Sequence, residues 1–140
     1  DYKGATLIAD YGHNPDAILA LVQAVETMPA VRRSVVISGA GDRRDEDIRQ
    51  QTEILGNAFD DAILYQDACQ RGRQDGEVIG LLRDGLKHAK RTRRIDEITG
   101  EFKAIDLALE RLQPGDLCLI LIDQVEEALA HIAQRIREAS

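Results

Sequence analysis

The stretch Ala9–Ile18, ADYGHNPDAI, carries the residues of this sequence that are best suited to binding a ligand. Asp10 could accept two hydrogen bonds from a ribose diol, and Gly12 would let a ligand come close to the backbone. His13 could donate a hydrogen bond to a phosphate or stack against a ring, and Asn14 could cap a helix. A plain turn needs fewer polar groups, so this spacing favours a binding site. A capped helix beside a solvent-exposed histidine is the alternative interpretation.

A second polar stretch, GAGDRRDED over residues 39–47, combines glycines with both signs of charge. Its glycines could bring backbone N–H groups close to an anion. Asp42 and Arg43 are candidates for contacts with a substrate, because a guanidinium can grip a carboxylate or phosphate through two hydrogen bonds. Arg44 stands where a dinucleotide fingerprint has its third glycine, which counts against NAD binding. Surface ion pairing with the acids that follow is the alternative for both arginines.

Strand and helix patterns alternate along the whole chain. Five apolar, β-branched segments predict strands: ATLIAD, SVVISG, DAILYQ, the weaker TRRIDEI, and DLCLILI. Five segments of helical period lie between and after them. The first helix is predicted to begin at Pro15 after the cap Asn14, and the second to span about Asp45–Phe59. The third is predicted to begin near Asp75, the fourth to begin after Thr99 and stop at Pro114-Gly115, and the fifth to begin at the cap Asp123. This alternation predicts an α/β fold with an open, Rossmann-like, mostly parallel sheet and helices on both faces.

The predicted fold determines where the polar stretches should lie. Ligands of open α/β sheets bind beyond the carboxyl ends of the strands, and both polar stretches follow a predicted strand. In the last two helices the predicted apolar stripes are Phe102, Ile105, Leu109 and Leu112, and then Val125, Leu129, Ile132 and Ile136. His131 is predicted to be a surface residue without a partner, and Cys118 a small core residue.

The composition excludes several classes of function. A net charge of −7, with 4% aromatic residues and no Trp, argues against nucleic acid as a partner. No apolar run is long enough for a membrane span and no signal peptide is evident, so we expect a cytoplasmic protein that binds no membrane. Cys69 and Cys118 lack metal-ligand spacing, so no metal site is predicted. The basic run 87–94 is interpreted as a solvated helix end.

The chain also lacks a P-loop pattern, GxxxxGK[ST], so we expect that it cannot carry out phosphoryl transfer alone. Its 140 residues suit one domain, and we expect this domain to be a fragment of a longer protein, because the sequence opens on Asp1 almost directly before a strand.

The segment DYGHNPDAI resembles the opening of the C-terminal domain of Mur ligases and folylpolyglutamate synthetases. Three further segments resemble the cyanophycin synthetases within that family: GAGDRRDEDIRQ, FDDAILYQDACQRGRQDGEVIGLL and LQPGDLCLILID. DYGHNP is specific only to the ligase superfamily, whereas GDRRDEDI followed by RGR and GE is more specific. The resemblance covers nearly the whole chain, from about Thr6 to Ile132.

This resemblance implies an ATP-dependent ligase in which a substrate module, a central P-loop ATPase and a Rossmann-like C-terminal domain cooperate. ATP phosphorylates a carboxylate, and an amino group attacks the acyl phosphate to give an amide, ADP and phosphate. In cyanophycin synthetases the Mur-like half joins arginine to the aspartate β-carboxyl of a polymer. The resemblance further implies a closing domain that is inactive alone, whose partners are the central P-loop domain, an amino acid and a polymer, within a homo-oligomeric enzyme.

The resemblance also implies roles for individual residues. Asp10 would hold the ATP ribose, His13 would approach the nucleotide or its phosphates, and Asn14 would support their turn. Asp42 and Arg43 would face the incoming amino acid or the reacting phosphate, which makes His13 and Arg43 the catalytic candidates. The cofactor would be ATP, with Mg²⁺ held mainly by the central domain. The alternatives are a dinucleotide-binding Rossmann module, a small interaction domain, and a related ligase with a different amino-acid substrate.

Overall fold

Five strands and five helices alternate along the part of the chain that the computed structural model describes, which is residues 4–10, 15–38, 45–66, 77–87, 89–122 and 125–139. The strands are β1 (Thr6–Asp10), β2 (Arg33–Ile37), β3 (Asp61–Gln66), β4 (Arg94–Thr99) and β5 (Leu117–Leu121). The helices are α1 (Pro15–Glu26), α2 (Asp45–Leu55), α3 (Glu77–Gly85), α4 (Glu101–Arg111) and α5 (Val125–Ala139). Each described element overlaps a segment predicted for its type, although β2 begins one residue before its predicted segment and β4 ends one residue after it. The predicted alternation is confirmed.

The strands form one sheet in the order β1-β5-β2-β3-β4, and every described pairing is parallel. The last strand therefore lies between the first two. The predicted α/β fold is confirmed. The apolar strand β5 is buried at all five positions, as expected for a strand covered on both faces.

Two apolar cores fill the spaces between the sheet and its helices. Helices α1, α2 and α3 cover one face, and α4 and α5 cover the other. The alternating side chains of the strands divide between these cores, so Leu119 packs on one face while Cys118 and Ile120 pack on the other. Cys118 is fully buried, as predicted, and burial raises the pKa of its thiol to about 11. None of the described helices combines the length and apolar character that a membrane span requires.

Helix α2 ends earlier than the sequence pattern predicts. It ends at Leu55, not Phe59, and Gly56 begins a turn. The Gly56 carbonyl accepts hydrogen bonds from the backbone N–H groups of Arg91 and Thr92, at 3.0 and 3.1 Å. The segment before β4 thus supplies the hydrogen bonds that the Gly56 carbonyl would otherwise accept from the next turn of the helix. Phe59 is nevertheless fully buried, as its apolar character predicted.

Two predictions for the last helices are wrong. Phe102 and Leu129 were placed in buried stripes, but they are 37% and 46% exposed. His131, predicted to lack a partner, stacks on the Phe102 ring with 4.7 Å between ring centroids. Its Nε2 also lies 2.7 Å from Asp106 Oδ1, and Arg135 binds the same carboxylate. Phe102, which the helical period assigned to the core, thus takes part in a contact between α4 and α5 that also contains charged side chains.

Candidate functional site

Asp10 ends β1 at the carboxyl edge of the sheet, which is where the sequence predicted a ligand site. It pairs with Leu121, the last residue of β5, and its carbonyl accepts a hydrogen bond from the Ile122 N–H at 2.9 Å. The ends of these two strands are thus fixed side by side. Asp10 is partly buried, so its position is set by the sheet rather than by a free loop.

The two neighbouring strands lead to helices on opposite faces of the sheet. α1 packs on the face that holds Ile18 and Val22, whereas α5 packs on the face that holds Ala128 and Ile132. This divergence makes the carboxyl ends of β1 and β5 a topological switch point, the place where open α/β sheets hold ligands in the crevice between diverging connections. Asp10 lies at that point.

The other predicted site residues, His13, Asn14, Asp42 and Arg43, lie outside the described residues. The ends of the segments that contain them are described. Residues 11–14 join Asp10 to Pro15 and residues 39–44 join Ser38 to Asp45, so both segments connect the carboxyl end of a strand to the start of a helix. The roles of these four residues stay predictions.

Acidic side chains occupy the first turns of four helices that begin at this edge. They are Asp16 in α1; Asp45, Glu46 and Asp47 in α2; Glu101 in α4; and Glu126 and Glu127 in α5. Carboxylates are favoured there because a helix N-terminus carries partial positive charge. Among the described residues, this edge therefore carries a group of acidic helix starts.

Two buried polar residues at this edge were not predicted from the sequence. The Tyr65 hydroxyl, at the end of β3, lies 3.0 Å from Glu101 Oε2 and 2.9 Å from the Leu121 carbonyl oxygen. Glu101 is only 2% exposed. The contact joins β3, α4 and β5 directly below the candidate site. A glycine and an acid immediately after the β4 pattern, Gly100-Glu101, are the sequence signal that could have indicated it.

Gly100 makes the entry into α4 possible. Its φ of 105° lies in the region that side-chain-bearing residues rarely adopt, and it provides no side-chain cap. The following Glu101 turns inward at the first helical position. Among the described residues, no group of three or more His, Cys, Asp or Glu side chains could hold a metal ion.

A family model described as "Mur ligase, glutamate ligase domain" matches residues 1–121. The chain belongs to this family. The resemblance to the Mur ligase C-terminal domain that the DYGHNP segment indicated is therefore confirmed, and the parallel α/β sheet is the sheet of a Mur ligase C-terminal domain.

Curated relatives place the Mur ligase domain near the cyanophycin synthetases. It is 33% identical over 132 residues to the cyanophycin synthetase of Geminocystis herdmanii, covering 94% of this chain and 15% of that protein. It is 34% identical over 118 residues to the UDP-N-acetylmuramoyl-L-alanyl-D-glutamate–2,6-diaminopimelate ligase of Bradyrhizobium diazoefficiens, covering 84% of this chain and 23% of that protein. The chain thus spans less than a quarter of the length of either relative.

Solved structures share the fold of this Mur ligase domain. A UDP-N-acetylmuramoyl-L-alanyl-D-glutamate–2,6-diaminopimelate ligase superposes with a TM-score of 0.78 and 20% identity, covering 96% of this chain and 30% of that one. FolC of E. coli, in complex with ADP and without folate substrate, superposes with a TM-score of 0.70 and 22% identity, covering 91% of this chain and 29% of that one.

Proposed function

We propose that this chain is the C-terminal closing domain of a longer, ADP-forming acid–amino-acid ligase of the cyanophycin synthetase type. In this proposal it helps bind ATP and positions the amino acid that attacks an acyl phosphate. The observation that carries the proposal is the position of Asp10 at the β1–β5 switch point, directly before the HNP segment of a Mur ligase domain.

Asp10 and the sequence that follows it suit a nucleotide at this edge. The carboxylate of Asp10 is a hydrogen-bond acceptor at the end of a strand, which suits a ribose hydroxyl, and in the proposal His13, outside the described residues, donates to the phosphates. E. coli FolC, which has the same fold, is solved with ADP. Mg²⁺ would be held mainly by the central P-loop domain. When bound, it would neutralise phosphate charge.

Arginine is the amino acid that we propose for the reaction. Cyanophycin synthetases are among the relatives that match more than 90% of the chain, and the acidic helix starts at the carboxyl edge favour a cationic substrate over a neutral one. Asp42 and Arg43 would face its backbone groups or the reacting phosphate.

Domain closure accounts for the incomplete character of the site. An acyl phosphate hydrolyses if water reaches it, so a domain that closes over the P-loop domain protects the intermediate. Closure also brings the amine to the activated carbonyl in a productive orientation. A domain with this role needs only some of the ligand contacts, and its partner supplies the rest.

The decisive experiment is amide synthesis by the complete polypeptide with ATP, arginine and a polyaspartate-backbone primer. We expect His13→Ala and Arg43→Ala to lower kcat at least tenfold, because both would remove transition-state contacts. Glu110→Ala is the matched control, because Glu110 is exposed on α4 far along the helix from its first turn, and it should keep normal turnover. Unchanged turnover in both site variants, with the control also unchanged, would contradict the proposal.

The chain alone should release no phosphate from ATP, because it has no P-loop pattern. A phosphate-release assay of the 140-residue chain against a buffer control tests this expectation. Release above the control would show that the chain is more than a closing domain.

Amino-acid selectivity separates the proposal from its closest alternative. The complete polypeptide should use arginine with a kcat/KM at least tenfold above that for 2,6-diaminopimelate or lysine. Preference for diaminopimelate would support the related ligase class instead.

A further inference from the structure

A cavity of about 240 Å³ opens at the amino edge of the sheet, on the α4 face and opposite the candidate site. Its lining is Arg32, Ser34, Asp61, Ile63, Arg94, Ala108, Arg111, Leu112, Gln113 and Asp116. Ser34, Asp61 and Arg94 are aligned across β2, β3 and β4 by the strand register. At about 30 Å³ per water molecule, the volume suits a ligand of about eight non-hydrogen atoms.

One part of the lining is positively charged. Arg111 Nη1 and Arg94 Nε both approach the same oxygen, Oδ2 of Asp96, at 2.6 and 3.5 Å. Two guanidiniums therefore share one carboxylate, and the pair keeps an excess of positive charge. The Arg94 contact is long and the Arg94 side chain is 53% exposed, so its guanidinium can donate hydrogen bonds to a second carboxylate.

Another part of the lining is negatively charged. Asp116 is 8% exposed, and its Oδ2 accepts a hydrogen bond from the Gln113 N–H at 3.0 Å. Asp61 is also buried, but both of its oxygens are bound by Arg32 at 2.7 Å. Asp116 lies in the field of Arg32 but forms no hydrogen bond or ion pair with an arginine among the described residues, and a desolvated carboxylate favours an ammonium group.

An apolar wall completes the cavity. Ile63 and Leu112 are 1% and 5% exposed, and Ala108 faces the same space from α4. A ligand that fits this lining carries a carboxylate, an ammonium and a short aliphatic chain. Neither an inorganic anion nor a simple amine would use all three surfaces.

We propose that the amino-edge cavity binds a free aliphatic α-amino acid, whose carboxylate is held by Arg94 and Arg111 and whose ammonium faces Asp116. The side chain of the amino acid packs on the wall formed by Ile63, Ala108 and Leu112. This site is separate from the carboxyl edge and does not depend on the proposed ligase function.

The test is an NMR titration of the chain with three probes that share one carbon chain: L-norvaline, pentanoate, which lacks the ammonium, and butylamine, which lacks the carboxylate. We expect norvaline to shift the Nε–Hε signals of Arg94 and Arg111 with a Kd on the order of millimolar. Its affinity should exceed that of either partial probe at least tenfold. Equal affinity for norvaline and a partial probe, or no saturable shift, would overturn the proposal.

Variants test which cavity residues bind the ammonium and the carboxylate of the ligand. Asp116→Asn keeps an acceptor for the Gln113 N–H but removes the charge. It should therefore lower the affinity for norvaline at least tenfold and leave the affinity for pentanoate unchanged. Arg111→Gln should lower the affinity for both norvaline and pentanoate. Arg83→Gln is the matched control, because Arg83 binds Glu97 outside the cavity, and it should change neither affinity.

A third variant keeps all charges in place. Ala108→Leu adds volume at the wall and should abolish norvaline binding. A thermal melt of each variant shows whether it is folded, and a folded Asp116→Asn or Ala108→Leu protein that binds norvaline normally would overturn the assignment of the site.

Discussion

At the scale of single residues, the Tyr65 side chain joins three elements below the candidate site, β3, α4 and β5. We expect Tyr65→Phe to lower the free energy of unfolding by about 1–3 kcal/mol, because the buried Glu101 carboxylate and the Leu121 carbonyl each lose a hydroxyl neighbour without gaining water. Urea denaturation followed by circular dichroism measures the change. Thr27→Val removes an exposed hydroxyl that donates to the Ala24 carbonyl, and as a control it should cost well under 1 kcal/mol. Equal changes in the free energy of unfolding for the two variants would show that the Tyr65 hydroxyl stabilises the fold no more than an exposed hydroxyl does.

Asp96 provides a residue-scale prediction about pH. The hydrogen bond from Arg111 lowers the pKa of the Asp96 carboxyl below its ordinary value of 3.8, although partial burial opposes this effect. A carboxyl whose pKa is lower in the folded state stabilises the fold above pH 3.8, and that stabilisation is lost as the pH falls through the folded-state pKa.

Arg111→Gln should therefore make the loss of stability between pH 5 and pH 3 less steep. The measurement is the free energy of unfolding in urea at several pH values. Lys87→Gln removes an exposed cation that makes no side-chain hydrogen bond or ion pair with the described residues, and it should leave the pH dependence of the unfolding free energy as in the unchanged protein. If the unfolding free energy of Arg111→Gln depends on pH as steeply as that of the unchanged protein, Arg111 is not the cause of the lowered Asp96 pKa.

At the scale of elements, α3 contains two glycines in opposite surroundings. A Cβ at Gly80 would meet no atom of the described residues within 4 Å, whereas a Cβ at Gly85 would overlap Thr52 Oγ1 and the Arg49 carbonyl of α2. Gly80→Ala should therefore raise the free energy of unfolding by about 0.5–1 kcal/mol, because alanine loses less backbone entropy in a helix.

Gly85→Ala should instead lower the free energy of unfolding by about 1–3 kcal/mol or more, since α2 and α3 would have to separate. Chemical denaturation of both variants measures the difference, and each serves as the control for the other because the substitution and the helix are the same. The prediction fails if both substitutions change stability in the same direction.

Element types were predictable because strand and helix periods differ and the caps are local signals. Pro15 begins α1 at the predicted first helical position, and the segment with the weaker strand pattern does form a strand, the largely exposed β4. The end of α2 was not predictable, because it depends on backbone bonds from Arg91 and Thr92, more than thirty residues along the chain. Helical period also could not show that Phe102 would stack on His131 rather than enter the core.

The candidate site was predictable only in outline. The sequence places Asp10 at a strand end, and the structure adds that this end lies beside Leu121 at a switch point. That neighbour depends on strand order, which local patterns do not encode. The same limit explains why the amino-edge cavity was not predicted, because Arg32, Arg94 and Arg111 meet there only through the register of the sheet and the packing of α4.

At the scale of the whole molecule, the two cores share one sheet and should unfold together. Leu82→Ala removes apolar volume from the α1–α3 face, and Ile105→Ala removes it from the α4–α5 face. Each should lower the free energy of unfolding by about 2–5 kcal/mol. In both variants, tyrosine fluorescence and circular dichroism should report a single coincident urea transition. Separate transitions for the two probes would show that the faces unfold independently.

The place of β5 between β1 and β2 has a consequence for biosynthesis. β1 hydrogen-bonds with β5, an element made more than a hundred residues later, so translation delivers the first strand long before its neighbour exists. Because contacts of such long sequence separation form slowly, the nascent polypeptide must keep Thr6–Asp10 from aggregating until Leu117–Leu121 has emerged from the ribosome.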